Sequence, residues 1–200
     1  MHRDTSAAAL RSFAAGDPFM SIGTNSENIL PQSVSTDVNQ RLTPSQLVTA
    51  LQRQHPDWVS EIVEALGEVT VTVPAAHIVN VCEELKTGAH TRFDFLSDIC
   101  GADRGVEEEP RFEVNYHLFS TTWHHRLRLK VLLNEGEAHV PTVTSVWRTA
   151  NWHERETFDL MGVVFDGHPD LRRILLPDDW QGHALRKDFP LRGYEPYSLK

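Results

Sequence analysis

Of three histidines in the last third of the chain, two stand beside carboxylates. His153 is followed at once by Glu154, His168 falls between Asp166 and Asp170, and His183 lies in a Gly- and Pro-rich stretch. Imidazoles and carboxylates so placed can ligate a metal or exchange a proton. The metal reading lacks its partners: Thr157 occupies the second histidine position of an H-E-x-x-H helix, and neither Cys82 nor Cys100 adds a ligand at metal spacing. Acid–base work by His168 with Asp170 or Asp166 needs a convergence that loop spacing does not supply. A third chemistry suits the composition best. Arg172, Arg173, Arg186 and Lys187 are interleaved with Asp170, Asp178, Asp179 and Asp188 and with Trp180, Phe189 and Tyr194. Such a mixture of cationic forks, carboxylates and aromatics recognises another protein.

These groups hang on one helix and one arm. The spacing predicts a helix from Asn151 to Met161, with Asn151 as N-cap, Glu154 as its reciprocal partner and Gly162 as the residue that ends it. On a wheel of about 100° per residue, Phe158 and Met161 enclose Glu154, while Trp152 and Leu160 enclose Glu156. A helix of this kind is expected to be covered on two sides, and both enclosed glutamates then need cationic partners. Arg155 and Asp159, four apart, are expected to pair. Residues 162–200 hold four Gly and four Pro in 39 residues, so long regular elements are not expected there. They also hold six cations, six acids and large apolar residues, Phe165, Leu171 and Ile174 among them, which a disordered tail would lack. The expectation is an ordered, irregular arm that packs partly on its own domain and partly on a partner.

Upstream, residues 1–40 show no sustained period and read as a disordered tail. Thr43 and Pro44 open a helix carrying Leu47, Val48 and Leu51 that ends before Pro56. Val69, Val71 and Val73 alternate as a strand ended by Pro74; Ile78, Val81, Cys82 and Leu85 form a core-facing helix stripe closed by Gly88. Phe93, Phe95 and Ile99 share one parity of a probable strand. Phe112 to Leu118 and Leu127 to Val131 then alternate as two strands. A hairpin register pairing Glu113 with Lys130, Val114 with Leu129 and His117 with Arg126 satisfies both faces, and leaves His124 and His125 at an exposed connection. This order predicts an α+β fold with a mixed or antiparallel sheet and packed helices: a tail over 1–40, a domain over 41–161 and an arm over 162–200.

Composition narrows the function. With 200 residues, 40% of them hydrophobic, the chain builds a core without staples, and its formal net charge of -9 argues against a general nucleic-acid binder or direct docking on anionic lipid. No stretch approaches the ~20 apolar residues of a membrane span, and Arg11 and Asp17 break the only candidate export segment. There is no C-x-x-C pair, no G-x-G-x-x-G, no G-x-x-x-x-G-K-[ST] and no G-x-S-x-G. Two isolated cysteines suit a reducing compartment. Electron transfer, if any, would use a cofactor held by another chain.

The run Glu154-Arg155-Glu156-Thr157-Phe158-Asp159-Leu160-Met161-Gly162-Val163-Val164-Phe165, followed by His168-Pro169-Asp170-Leu171-Arg172-Arg173-Ile174-Leu175, resembles the C-type subunit of bacterial NADH-quinone oxidoreductase, respiratory complex I. Asp178-Asp179-Trp180-Gln181-Gly182-His183 and Arg186-Lys187-Asp188-Phe189-Pro190 are similar to the family's tail, with Ala184 where the family usually has Pro. The resemblance runs from about Trp58 to Leu191. It implies a cofactor-free peripheral-arm subunit docked chiefly on the D-type subunit, on the cytoplasmic side of the inner membrane, in a complex that carries electrons from NADH through FMN and iron–sulfur centres on other subunits to quinone. On that reading the quoted residues of helix and arm, Arg172, Trp180, Gly182, Arg186 and Lys187 included, are structural and interface residues, none catalytic. A sister reading is the equivalent subunit of a membrane-bound hydrogenase or formate-hydrogenlyase. A third is a stand-alone acid–base enzyme using His168 and Asp170.

Overall fold

The structure, a computed structural model, describes residues 41–194; the expected tail over 1–40 lies outside the described residues. Helix α1 (Pro44–Gln54) starts where Thr43 accepts from the Gln46 N–H and the Gln46 side chain accepts from the Thr43 N–H. This reciprocal cap satisfies two helix-end donors at once. Strands β1 (Glu61–Ala65) and β2 (Glu68–Thr72) follow as a hairpin. Its two-residue turn, Leu66-Gly67, has φ of 53° and 79°, the twist that tight hairpins favour. Helix α2 (Ile78–Thr87) buries Ile78, Val81, Cys82 and Leu85. Strands β3 (Phe95–Asp103), β4 (Phe112–Ser120) and β5 (His125–Leu133) complete a mixed sheet in the order β1-β2-β5-β4-β3, with β2 and β5 parallel. The α+β class read from the sequence is the observed one. No helix among the described residues is long and apolar enough to cross a membrane.

The core sits on the face of the sheet to which Val71, Val114, Tyr116 and Leu129 point, closed by Val48 and Leu51 of α1 and the apolar stripe of α2. Its register departs from expectation by two residues: Val114 faces Val131, Tyr116 faces Leu129 and His117 faces Arg128. The expected pairing would close on a Thr121-Thr122 turn, which needs positive φ at both positions, and β-branched residues resist that conformation. The chain instead forms a longer turn in which only His124 takes positive φ, 53°, and the His124 N–H donates to Ser120 at 2.8 Å. A shift of two preserves parity, so the apolar face stays inward. Lys130 still reaches Glu113 on the diagonal, at 3.0 Å.

Two further expectations are corrected. A bulge between Leu96 and Asp98 switches the parity of β3, so Leu96 and Ile99 are both buried and Phe95 is left 49% exposed. His125 is buried against the Phe93 ring at 5.1 Å, since β5 begins there and its first residue faces the core.

A small second sheet pairs β6 (His139–Pro141) with β7 (Val164–Asp166) in parallel, and helix α3 (Ala150–Met161) connects them. α3 lies against β3. The contact is close at Gly101, where an added Cβ would stand 2.9 Å from a Thr157 methyl and 3.0 Å from Met161. The Thr157 hydroxyl donates to the Ile99 carbonyl at 3.2 Å, occupying a backbone acceptor of the edge strand.

Candidate docking surface

α3 begins one residue before the expected start. Thr149 precedes it without a side-chain cap, and Asn151 lies inside the helix. Glu154 is therefore free of capping and turns inward, where it is completely buried. It accepts from the Thr142 hydroxyl and from the Val143 N–H at 2.8 Å. No arginine or lysine among the described residues meets it. The nearest imidazole nitrogen, His168 Nε2, is 3.9 Å away and donates to the Asn151 carbonyl at 3.2 Å, while His168 Nδ1 accepts from the Asp170 N–H at 3.0 Å. These contacts fit the neutral Nε2–H tautomer. Burial pushes the Glu154 carboxyl up to about 7 against the opposing hydrogen bonds, and burial lowers the His168 imidazole. The expected cationic partner is absent; below about pH 7 the buried carboxyl holds its proton and needs none. Glu156 is exposed, and Trp152 beside it is 60% exposed, so of the two glutamates α3 encloses only Glu154.

A pH dependence follows. Unfolded, Glu154 ionises near 4.5; folded, near 7. The folded state holds the extra proton, so this contribution is complete below pH 4.5 and is lost as pH rises through 7. Glu154→Gln should remove it: relative to pH 4.5, the variant gains about 3 kcal/mol on the parent by pH 8. Chemical denaturation at both pH values checks this, and a gap that does not change with pH would refute it.

The arm is fastened to the other side of α3. Asp159 has no exposed side-chain surface; its Oδ2 accepts from the N–H groups of Ile174, Leu175 and Leu176 at 3.0, 2.8 and 2.9 Å, and its Oδ1 from Arg173 at 2.6 Å. Burial pushes this carboxyl up, but the Leu176 N–H, Arg173 and the two other N–H groups together hold it below the usual carboxylate range. The expected Arg155–Asp159 pair does not form. Arg155 donates instead to the carbonyls of Arg172 and Arg173, both at 3.1 Å, because the arm supplies fixed acceptors closer to its fork. Arg173 also reaches the Gly182 carbonyl, His183 Nδ1 lies 3.0 Å from the Asp159 carbonyl, and Arg186 donates to the Met161 carbonyl at 2.7 Å.

Gly162 makes this last contact possible. It ends α3 with φ of 75°, and a Cβ there would fall 2.5 Å from both Arg186 and His183. Gly162→Ala should therefore lower stability by about 1–3 kcal/mol and loosen the arm. Urea unfolding with parallel trypsin digestion at Arg186 reads both effects.

A second anchor was not legible in the sequence. Arg111 is buried and donates to Asp103 from two nitrogens, at 3.1 and 2.8 Å, and to Asp188 of the arm at 2.8 Å; Glu135 is its third carboxylate. The Lys187 N–H donates to the same Asp103 at 2.8 Å. The Arg111 hydrogen bonds hold the Asp103 carboxyl down to about 2 against burial. The only local signal was an arginine directly before the apolar alternation of β4.

The arm thus follows two buried carboxylates and turns other side chains outward. Leu175, Leu185, Leu191 and Tyr194 are exposed, while Trp180 stacks on Phe189 and Tyr194 meets Phe189 edge to face, beside Gly182. Phe165 is core; Pro169 is exposed, and Asp170 pairs with Arg172 at the surface at 3.0 Å. The Asp170 carboxylate is spent on Arg172 and His168 is buried, so the two do not form an acid–base pair. His153, His168 and His183 go to three different partners: Asp98, the Asn151 carbonyl and the Asp159 carbonyl. Among the described residues no three His, Cys, Asp or Glu side chains are grouped to hold a metal.

The family described as the respiratory-chain NADH dehydrogenase 30 kDa subunit matches residues 71–195. The second C-type subunit of NADH-quinone oxidoreductase from Rhizobium meliloti is 53% identical over 148 residues, covering 74% of this chain and 80% of its own length. The C-type subunit from Roseiflexus sp. is 48% identical, covering 70% of this chain and 80% of its own. A solved trypsin-resistant fragment of Nqo5 is 34% identical with a TM-score of 0.53, covering 62% of this chain and 98% of the fragment. A chain of the archaeal membrane-bound sulfane sulfur reductase, 23% identical, shares the fold with a TM-score of 0.62 over 74% of this chain and 85% of its own. A family match over more than half of the chain, joined by relatives near half identity, leaves one conclusion: the chain belongs to the family of the 30 kDa subunit of respiratory-chain NADH dehydrogenase.

Proposed function

We propose that this chain is a cofactor-free peripheral-arm subunit of NADH-quinone oxidoreductase, complex I, and that it scaffolds the quinone-reducing module by docking on the D-type subunit. The complex carries electrons from NADH through FMN and iron–sulfur centres on other subunits to quinone and moves protons. This chain would sit on the cytoplasmic side of the inner membrane and reach it only through the complex. The observation that carries the reading is the arm. Asp159 and Asp103 fix it on its own domain while Leu175, Leu185, Leu191 and Tyr194 face outward. An apolar surface already ordered before binding loses less conformational freedom on association. Glu154, Arg155, Asp159, Gly162, Arg173 and Arg186 then act as positioning residues for that surface, not as reacting groups.

The experiment is a tagged pull-down of the full chain from gently solubilised membranes, with partners identified by mass spectrometry. The D-type subunit with the NADH- and FMN-binding subunits is the expected recovery. Arg173→Ala, which frees Asp159 and the Gly182 carbonyl together, should reduce that recovery about tenfold, equivalent to ~1.4 kcal/mol. Turnover per assembled complex should not change. A nickel–iron hydrogenase subunit in the recovered set would move the chain to the sister family, and intact assembly with lost turnover would contradict the scaffold role.

A further inference from the structure

Away from the outward face of the arm, a trough runs between β3 and the start of α3. It consists of two adjoining cavities of about 390 and 570 Å³, and Ser145 and Arg148 line both. An exposed aromatic lines each half: Phe95, 49% exposed, and Trp152, 60% exposed. Trp152 is backed by the Arg155 guanidinium, 5.3 Å from its ring, and Arg155 is itself held by two arm carbonyls. The exposed indole is therefore a fixed wall.

The charges along this trough are unbalanced. Lys86 of α2 lines the half near Phe95 and donates to the Val146 carbonyl; Arg148 lies between the aromatics. The fold commits Arg104, Arg111, Arg128, Arg172 and Arg173 to carboxylates, but neither Lys86 nor Arg148 has an ion-pair partner among the described residues. Among the described residues Asp94 is the one acid lining the trough, and both of its oxygens accept from Thr121. An excess of cations on a chain of net charge -9 selects for an anionic occupant. Covering these cations without counter-charge would be costly.

We propose that this trough takes an extended acidic segment of a partner polypeptide, with its carboxylates on Arg148 and Lys86 and its apolar side chains against Trp152 and Phe95. The segment enters beside Pro169, where the trough meets the start of the arm. The proposal does not depend on which chain the arm itself docks on.

A photo-crosslinking residue placed at exposed Ser145 of the full-length chain, expressed in its own cells, tests this. The crosslinked peptides are identified by mass spectrometry. The expected product is an Asp/Glu-rich segment of another chain. Its yield should fall about fivefold or more in Arg148→Glu and in 0.5 M salt, taken as roughly three times the ionic strength at which surface charges are already screened over about 8 Å, and should largely survive Arg148→Lys. Arg148 is exposed and has no ion-pair partner among the described residues, so an unchanged melting temperature of the charge-reversed chain establishes that the fold is intact. Crosslinks confined to this chain's own residues, to lipid or to a segment without acidic residues would overturn the proposal, as would a yield indifferent to Arg148→Glu. If the acidic crosslink persists while the D-type subunit is not recovered with the chain, the arm reading falls and the trough stands. The converse pair of results removes only the trough.

Discussion

Asp159→Ala should release the arm from α3 and lower the stability of the chain by about 3–5 kcal/mol. One carboxylate accepts from three consecutive backbone N–H groups and from Arg173, and it has no exposed side-chain surface. Its loss leaves three backbone donors without their acceptor and Arg173 with only the Asp159 and Gly182 carbonyls, and an unmade hydrogen bond in a half-buried place costs about 1–3 kcal/mol for each group that water fails to reach. The readout that separates arm release from general unfolding is trypsin. Arg172, Arg173, Arg186 and Lys187 lie along the fastened segment, and their cleavage should speed up by about tenfold or more in the variant at temperatures where circular dichroism still reports a folded sheet, since local opening of a released segment takes much less free energy than global unfolding. Equal cleavage rates in parent and variant would show that Asp159 does not hold the arm. Acid should imitate the variant: the carboxyl is held low in the folded chain, so its contribution is present above the unfolded value of 3.8 and disappears as pH falls through the folded one.

Arg111→Met carries the second large effect, at the other end of the arm. The substitution keeps the apolar stem beside Phe112 but strands Asp103, which has no exposed side-chain surface. Removing one partner of a buried pair costs about 3–5 kcal/mol, or about 10 °C in melting temperature for a domain of this size. Asp188 and Glu135, roughly half exposed, rehydrate and contribute little of that loss. Adding Asp103→Asn should restore part of it, because the buried charge is removed while the amide oxygen still accepts from one of the two backbone N–H groups, Gly105 on Oδ1 or Lys187 on Oδ2. Asp103 is held at about 2 by Arg111, so its contribution is full above 3.8 and is lost on acidification toward 2. The gap between parent and Arg111→Met should therefore narrow over that window; a gap constant from pH 5 to pH 2 would contradict the assignment.

What could be read in the sequence was what depends on nearest neighbours and on period. Thr43-Pro44 capped α1, Gly162 ended α3, and the alternation of Phe112 to Leu118 and Leu127 to Val131 became the central strands with the apolar parity inward. The density of large apolar residues among the glycines and prolines of 162–200 suggested an arm that packs, as residues 162–194 do on α3, and its run of motif residues identified the family. These signals are local: a cap, a turn or a period of two is set by residues within a few positions of one another.

Partner choice was decided by tertiary structure. Arg155 and Asp159 stood at pairing distance on one helix, yet each found better-fixed partners on the arm, because backbone carbonyls and N–H groups held in place by packing lose no side-chain entropy on bonding. The hairpin register turned on whether two threonines would accept positive φ, not on the facing charges. Glu154 was expected to need a cation and instead meets none, since burial, which no spacing reveals, raises its carboxyl to about 7 and keeps it uncharged below that pH. Arg111, Asp103 and Asp188 span most of the folded chain in sequence and meet only because the sheet and the arm bring them together. Sequence determined which elements form and which family the chain belongs to; three-dimensional packing determined which charges are buried and what they hold, because desolvation acts through distances in space and not along the chain.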